Sequence, residues 1–194
     1  MLVAQAKKAA EEFTHSKIPD DIIDKVTQKI SGLTRNIVLI GMPGCGKSSI
    51  GSELASKTGR ELVDTDEWVI NHTGKSIPAI FTEDGEETFR NLEKKALETL
   101  CKQSGSIIAT GGGIVKCPEN RNTIRQNSVV IFIDRDITEL PVSGRPLSEK
   151  EGVGTLAKAR LPIYEKWCDY KIKAGSIEET TEEILKKTHG GFNE

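Results

Sequence analysis

Residues 37–48 read Ile37-Val38-Leu39-Ile40-Gly41-Met42-Pro43-Gly44-Cys45-Gly46-Lys47-Ser48. A run of four apolar residues ends on Gly-x-x-x-x-Gly-Lys-Ser, the pattern of a phosphate-binding loop. The physics requires that order. A buried strand stops, glycines turn the backbone tightly, and successive N–H groups point inward around a polyphosphate. Lys47 then reaches the β- and γ-phosphates as a point charge, and the Ser48 hydroxyl is free to ligate Mg²⁺. A helix must follow to lend its N-terminal amides. Lys47 to Thr58 supplies one, with Ile50, Leu54 and Thr58 on one face and Gly59 as the stop. The expected nucleotide-contacting residues are Gly41, Gly44, Cys45, Gly46, Lys47, Ser48 and Ser49. Cys45 admits two readings: a thiol activated beside Lys47 at a helix start, or a small filler whose backbone matters more.

Strands and helices alternate after this loop. Leu62-Val63 reads as a short strand ending in Asp64-Thr65-Asp66. Helices are expected around Glu67–His72, Ile77–Glu83 and Glu86–Lys102. Ser106–Ala109 is a buried strand running into Gly111-Gly112-Gly113, and Pro118 suits the first turn of a helix reaching Gln126. Val129–Ile133 is apolar throughout, as parallel strands are. Asp136–Gly154 is polar and rich in Gly, Pro and Ser, which predicts a mobile lid. Thr155–Trp167 returns to helix, Tyr170-Lys171-Ile172 is a last strand, and Ser176 with Glu179 forms a capping box. The pattern predicts an α/β fold, an open parallel sheet with helices on both faces. Ligands then sit over the carboxyl ends of the strands, so Gly41–Ser48, Asp64–Asp66 and Gly111–Gly113 should meet in one cleft.

Composition sets limits. A net charge of −2 over 194 residues gives no electrostatic footprint for nucleic acid. No apolar run reaches the length that crosses a bilayer. The four cysteines, Cys45, Cys101, Cys117 and Cys168, show no Cys-x-x-Cys spacing, so neither zinc nor a disulfide framework is indicated. A reduced, cytoplasmic setting is expected.

Asp64 and Asp66 are two residues apart, so an extended backbone turns both carboxylates the same way. Phosphoryl transfer needs metal ligation and a group to orient the attacking hydroxyl. The ordered set Gly-x-x-Gly-x-Gly-Lys-Ser, Asp-Thr-Asp, Gly-Glu-x-x-Phe-Arg-x-x-Glu, Gly-Gly-Gly, Arg-Pro-Leu and Arg-x-Pro-x-Tyr resembles the shikimate kinases, over about residues 35–187. The resemblance implies a P-loop kinase that moves the ATP γ-phosphoryl group to the 3-hydroxyl of shikimate. It implies that Asp64 supports Mg²⁺ alongside Ser48, and that Asp66 binds the acceptor hydroxyl and takes its proton. It makes Arg90 and Arg160 a carboxylate clamp, with Glu93 fixing the Arg90 guanidinium and Gly111, Gly112 and Gly113 lying against the substrate. Arg145 becomes a lid arginine, catalytic with Lys47 and Asp66 and bound to the nucleotide. Two departures stand out. Leu147 is followed by Ser148 where the family continues with leucine, and the arginine usual over adenine is missing. Arg135 and the Ala174-Gly175-Ser176 stretch are the candidates for that role. Gluconate or nucleotide kinase, and a non-catalytic ATP-binding module, are the alternatives.

Residues 1–34 fall outside that pattern. Leu2, Ala6, Ala9 and Phe13 make one helical stripe, and Ile22, Ile23, Val26 and Ile30 make a second that Gly32 should end. Met1–Ala6, Phe13-Thr14 and Ile18-Pro19 resemble the C-terminal helices of shikimate dehydrogenase. That resemblance implies an extension left from, or part of, a longer bifunctional chain. Its apolar stripes are expected to dock on the kinase body or on a neighbouring molecule. The expected division is therefore 1–34 and 35–194.

Overall fold

The computed structural model describes residues 2–140 and 152–189. Two helices come first, α1 (Leu2–Thr14) and α2 (Asp21–Thr34). The body then runs β1 (Asn36–Ile40), α3 (Lys47–Thr58), β2 (Leu62–Asp64), α4 (Thr65–Thr73), α5 (Ile77–Glu83) and α6 (Gly85–Leu100). It continues with β3 (Ile107–Ala109), α7 (Asn120–Arg125), β4 (Ser128–Asp134), α8 (Val153–Trp167), β5 (Tyr170–Lys173) and α9 (Ile177–His189).

All five strands are parallel, in the order β2-β3-β1-β4-β5. β1 lies at the centre, with Ile37 opposite Ile107 on one side and Val129 on the other. Every residue of β1 is buried, which explains why its sequence does not alternate. The core joins Val38, Leu39, Ile108, Ile131 and Ile133 of the sheet to Ile50 and Leu54 of α3 and Tyr164 of α8. A smaller cluster of Val69, Ile80, Phe89 and Ala96 ties α4, α5 and α6 into one wall. Trp68 packs against both clusters and stacks on His72, so it fills space rather than lining a pocket.

Local expectations held where the chain carries its own stop and start signals. Gly59 ends α3 in the left-handed conformation, and the capping box forms, Ser176 N donating to Glu179 Oε2 and Glu179 N to Ser176 Oγ. Three differ. α7 begins at Asn120, not Pro118, because a 3-10 turn over Ile114–Lys116 comes first and Asn120 Nδ2 donates to the Ile114 carbonyl. α8 begins at Val153, two residues ahead of the expected Thr155. Gly32 does not end α2, which runs on to Thr34. The Arg60 guanidinium donates to the Gly32 carbonyl and so satisfies the last turn from outside. Arg145 and residues 141–151 of the expected lid lie outside the described residues.

The N-terminal helices form, and their apolar stripes are not buried on the kinase body. No residue of α1 or α2 is buried, and Leu2 and Phe13 are 81% and 89% exposed. The two helices hold mainly each other, through Lys7 with Asp20 and the Ile18 amide on Glu11 Oε1. Among the described residues the foot of α2 is fastened to the body, by Arg60 and by Gly105 N and Asn127 Nδ2 on the Thr34 carbonyl. Among the described residues no helix is long and apolar enough to cross a membrane.

Candidate active site

The loop after β1 has the shape its glycines require. Gly44 and Gly46 sit at φ +83° and +100°, and a Cβ on Gly41 would lie 2.7 Å from the Ile133 carbonyl oxygen. Lys47 is buried, and its ammonium is held at 2.9 Å by the carbonyls of Gly41 and Met42. Cys45 is fully buried with its Sγ 3.7 Å from Lys47 Nζ, which fits a filler of the loop interior. Ser48 and Ser49 are exposed at the start of α3.

Three strand ends do converge. Ser48 Oγ donates to Asp64 Oδ2 at 2.9 Å, while Asp64 Oδ1 accepts from the Asp66 amide and caps α4. Thr65, between the two aspartates, is buried and accepts from Gly111 N at 2.9 Å. That bond fastens the Asp-Thr-Asp turn to the glycine turn. A Cβ on Gly112 would lie 2.6 Å from Pro43, so the glycine turn also presses on the phosphate-binding loop.

The far wall is built from charged side chains. Asp66 is mostly buried and its Oδ1 has no hydrogen-bond partner. Burial, then the Asp64 charge, push its carboxyl up to about 6 against the pull of Lys47 and Arg90. Glu93 is buried too, with Oε1 unpartnered, and burial pushes it up to about 7 despite Arg90. Both free oxygens face Gly111, where a Cβ would sit 2.6 Å from Glu93 Oε1 and 2.7 Å from Asp66 Oδ1. A Cβ on Gly113 would collide with the Arg90 guanidinium. Space beside the glycine turn thus exists because side chains are absent there.

Arg90 Nη1 donates to Glu93 Oε2 at 2.7 Å, as the i,i+3 spacing predicts, and Nη2 donates to Glu86 Oε1 at 3.0 Å. Arg160 is buried. Its Nη1 donates to the Gly112 carbonyl at 3.1 Å, while Nη2 has no partner. Such an orphaned cation is expensive unless a ligand completes it. Arg135 spans the opposite end of the cleft, with Nε on the Cys45 carbonyl and Nη2 on the Gly175 carbonyl, both at 3.3 Å. Sequence reasoning missed Thr65, Glu86 and Tyr164, whose hydroxyl donates to the Gly112 carbonyl. Glu86 had a signal, since it lies one helical turn before Arg90.

Comparison with known proteins agrees with this geometry. The sequence profile of the shikimate kinases matches residues 43–189. The chain belongs to the shikimate kinase family. The shikimate kinase of Clostridium botulinum strain Alaska E43 is 40% identical over 79% of this chain and 97% of its own length. That of Dehalococcoides mccartyi is 39% identical over 80% of this chain and 94% of its own. Among solved structures, Acinetobacter baumannii shikimate kinase in complex with shikimate superposes with a TM-score of 0.75 at 28% identity, covering 86% of this chain and 99% of that one. Aquifex aeolicus shikimate kinase gives 0.71 at 36% identity, over 80% and 97%. A gluconokinase from Sinorhizobium meliloti, 15% identical with a TM-score of 0.54, shares the fold alone. Nothing in these matches supports a joined dehydrogenase.

Proposed function

We propose that this chain transfers the γ-phosphoryl group of ATP to the 3-hydroxyl of shikimate, giving shikimate 3-phosphate and ADP. The observation that carries the reading is the pair of unsatisfied buried atoms beside the glycine turn, Arg160 Nη2 and Asp66 Oδ1. One is a cation awaiting an anion and the other an acceptor awaiting a donor, as a small hydroxy acid would provide. In this reading Arg90 and Arg160 hold the carboxylate, and Gly111, Gly112 and Gly113 let the ring lie against the backbone. Asp66 accepts the hydrogen bond of the attacking hydroxyl and takes its proton. A carboxyl near 6 is ionised at neutral pH yet basic enough for that task.

The nucleotide phosphates lie in the loop Gly41, Gly44, Cys45, Gly46, with Lys47 turning from its carbonyls to the β- and γ-oxygens and Ser48 and Ser49 at the helix start. Ser48 and Asp64 would hold Mg²⁺ together with the phosphates and water, a fit supported by their 2.9 Å pairing and by the few protein ligands that ion needs. Bound there, the ion would neutralise charge on the transferring group. Arg145, outside the described residues, is assigned to the phosphates by the family pattern alone, and Arg135 with Ala174-Gly175-Ser176 forms the adenine side. The helices of 1–34 are an appendage to a kinase domain of 35–194, a remnant of or a link to a longer chain. Four free thiols accord with a cytoplasmic enzyme.

An ADP-release assay across shikimate, gluconate and nucleoside monophosphates tests the assignment. Turnover that depends on ATP, Mg²⁺ and shikimate is expected. Preference for gluconate or a nucleotide, or binding of ATP without acceptor-dependent turnover, would overturn it.

A further inference from the structure

Lys116 closes the 3-10 turn that follows Gly113, and its ammonium meets Glu86 Oε1 at 2.6 Å. The same oxygen accepts from Arg90 Nε at 3.2 Å and Nη2 at 3.0 Å. One carboxylate oxygen therefore links a lysine at the rim of the cleft to the guanidinium that faces the glycine turn. This wall carries a built-in conflict. Bracing Arg90 along its Nε edge fixes the guanidinium plane, and with Nη1 on Glu93 these bonds use three of its five N–H groups. Yet the brace is itself an anion, one guanidinium away from where a substrate carboxylate would dock, and like charges at that range repel. Glu93 is less of a problem, because burial drives it towards its neutral form. Glu86 stays ionised, its carboxyl held below the usual range chiefly by the Lys116 ammonium.

We propose that Lys116 is a positioning residue for substrate affinity: it masks the charge of Glu86, so that Glu86 braces Arg90 without repelling the carboxylate of the incoming hydroxy acid. Lys116 touches no substrate in this account. It acts through Glu86. The inference rests on the functional reading above, and the two fail in different ways.

Steady-state kinetics of wild type, Lys116→Met, Lys116→Arg, Glu86→Gln and the double variant Lys116→Met/Glu86→Gln decide it. Lys116→Met should raise KM for shikimate about threefold to tenfold, the scale of one partly screened charge contact. Its kcat and its KM for ATP should stay within about twofold of wild type, and added salt should shrink the difference. Lys116→Arg should restore wild-type KM by restoring the charge. In the Glu86→Gln background the amide can still accept from Arg90, there is no charge to mask, and Lys116→Met should change KM by less than about 1.5-fold. A packing role alone would move thermal stability without this split and without rescue by arginine. An unchanged KM in Lys116→Met overturns the inference. So does an equal rise in both backgrounds, which would mean that the lysine binds substrate directly. A wild-type chain with no shikimate-dependent turnover overturns the functional reading, and this inference with it.

Discussion

The two walls of the cleft handle charge by opposite means. The phosphate-binding loop offers backbone amides and a single lysine, and without ligand that lysine rests on carbonyls of its own loop. It is locally complete. The facing wall brings Asp66, Arg90, Glu93 and Arg160 from three helices into one buried patch and leaves an oxygen on Asp66, one on Glu93 and a nitrogen on Arg160 without partners. It is complete only with a ligand. A generic anion site can be made from contiguous backbone, whereas recognition of one hydroxy acid needs side chains whose unmet demands match it. Changes in the loop should therefore touch every phosphate-dependent step, and changes in the wall should separate binding from chemistry.

The largest effect should come from Asp66. Asp66→Asn should lower kcat by about two to four decades while KM for ATP moves little, because the amide keeps the shape and loses the base. Retention of more than about a tenth of kcat would remove Asp66 from the chemistry. Next is Arg90→Ala, expected to weaken shikimate by about 2–5 kcal/mol in KM with a smaller change in kcat, since it removes the guanidinium that pairs with the buried Glu93. Arg90→Lys should recover little, because lysine cannot form the fork. Equal loss of kcat and of shikimate affinity in both variants would erase the division of labour along the wall.

A third prediction concerns stability. The folded protein holds the Asp66 proton to about pH 6, whereas the unfolded chain releases it near 3.8. This group therefore favours folding most below about pH 4, and its contribution declines as pH rises to about 6, by up to about 3 kcal/mol. Chemical denaturation of the ligand-free protein should show that decline, and Asp66→Asn should flatten it. Unchanged slopes between the two proteins would mean that the wall is not strained by its own charge. The smallest effect belongs to the N-terminal hairpin. Deleting residues 1–33 should leave kcat/KM for shikimate within about threefold, under 1 kcal/mol, because no residue of α1 or α2 is buried and the kinase pattern starts after them. Loss of activity in a folded truncation would make these helices part of the enzyme.

The two walls also differ in how much of them the sequence disclosed. The loop is eight contiguous residues whose spacing carries its own mechanism, so its helix could be placed to the residue and its strand to within one. Asp64 and Asp66 were legible as a pair at a strand end, although a helix start and not an extended backbone sets their directions, and Glu93 was legible from its place one turn after Arg90. The partners that close the wall were not. Thr65 matters because its hydroxyl accepts from Gly111 N, a contact across 46 positions of chain. The unpartnered Nη2 of Arg160 exists only once α8 is packed beside the glycine turn. Gly32 failed as a stop signal for a related reason, since the group that completes its helix, Arg60, lies beyond a strand and another helix. Signals confined to one element survive folding; those that depend on a partner from another element are decided by packing.

The central claim is that the hydroxyl facing Asp66 receives the phosphoryl group. Phosphorus-31 and proton NMR of the product formed with ATP, Mg²⁺ and shikimate locate the new ester directly. The account predicts a single phosphomonoester, at hydroxyl 3, appearing in step with ADP and lost in Asp66→Asn. Free phosphate with unmodified shikimate, or an ester at another hydroxyl, would contradict it.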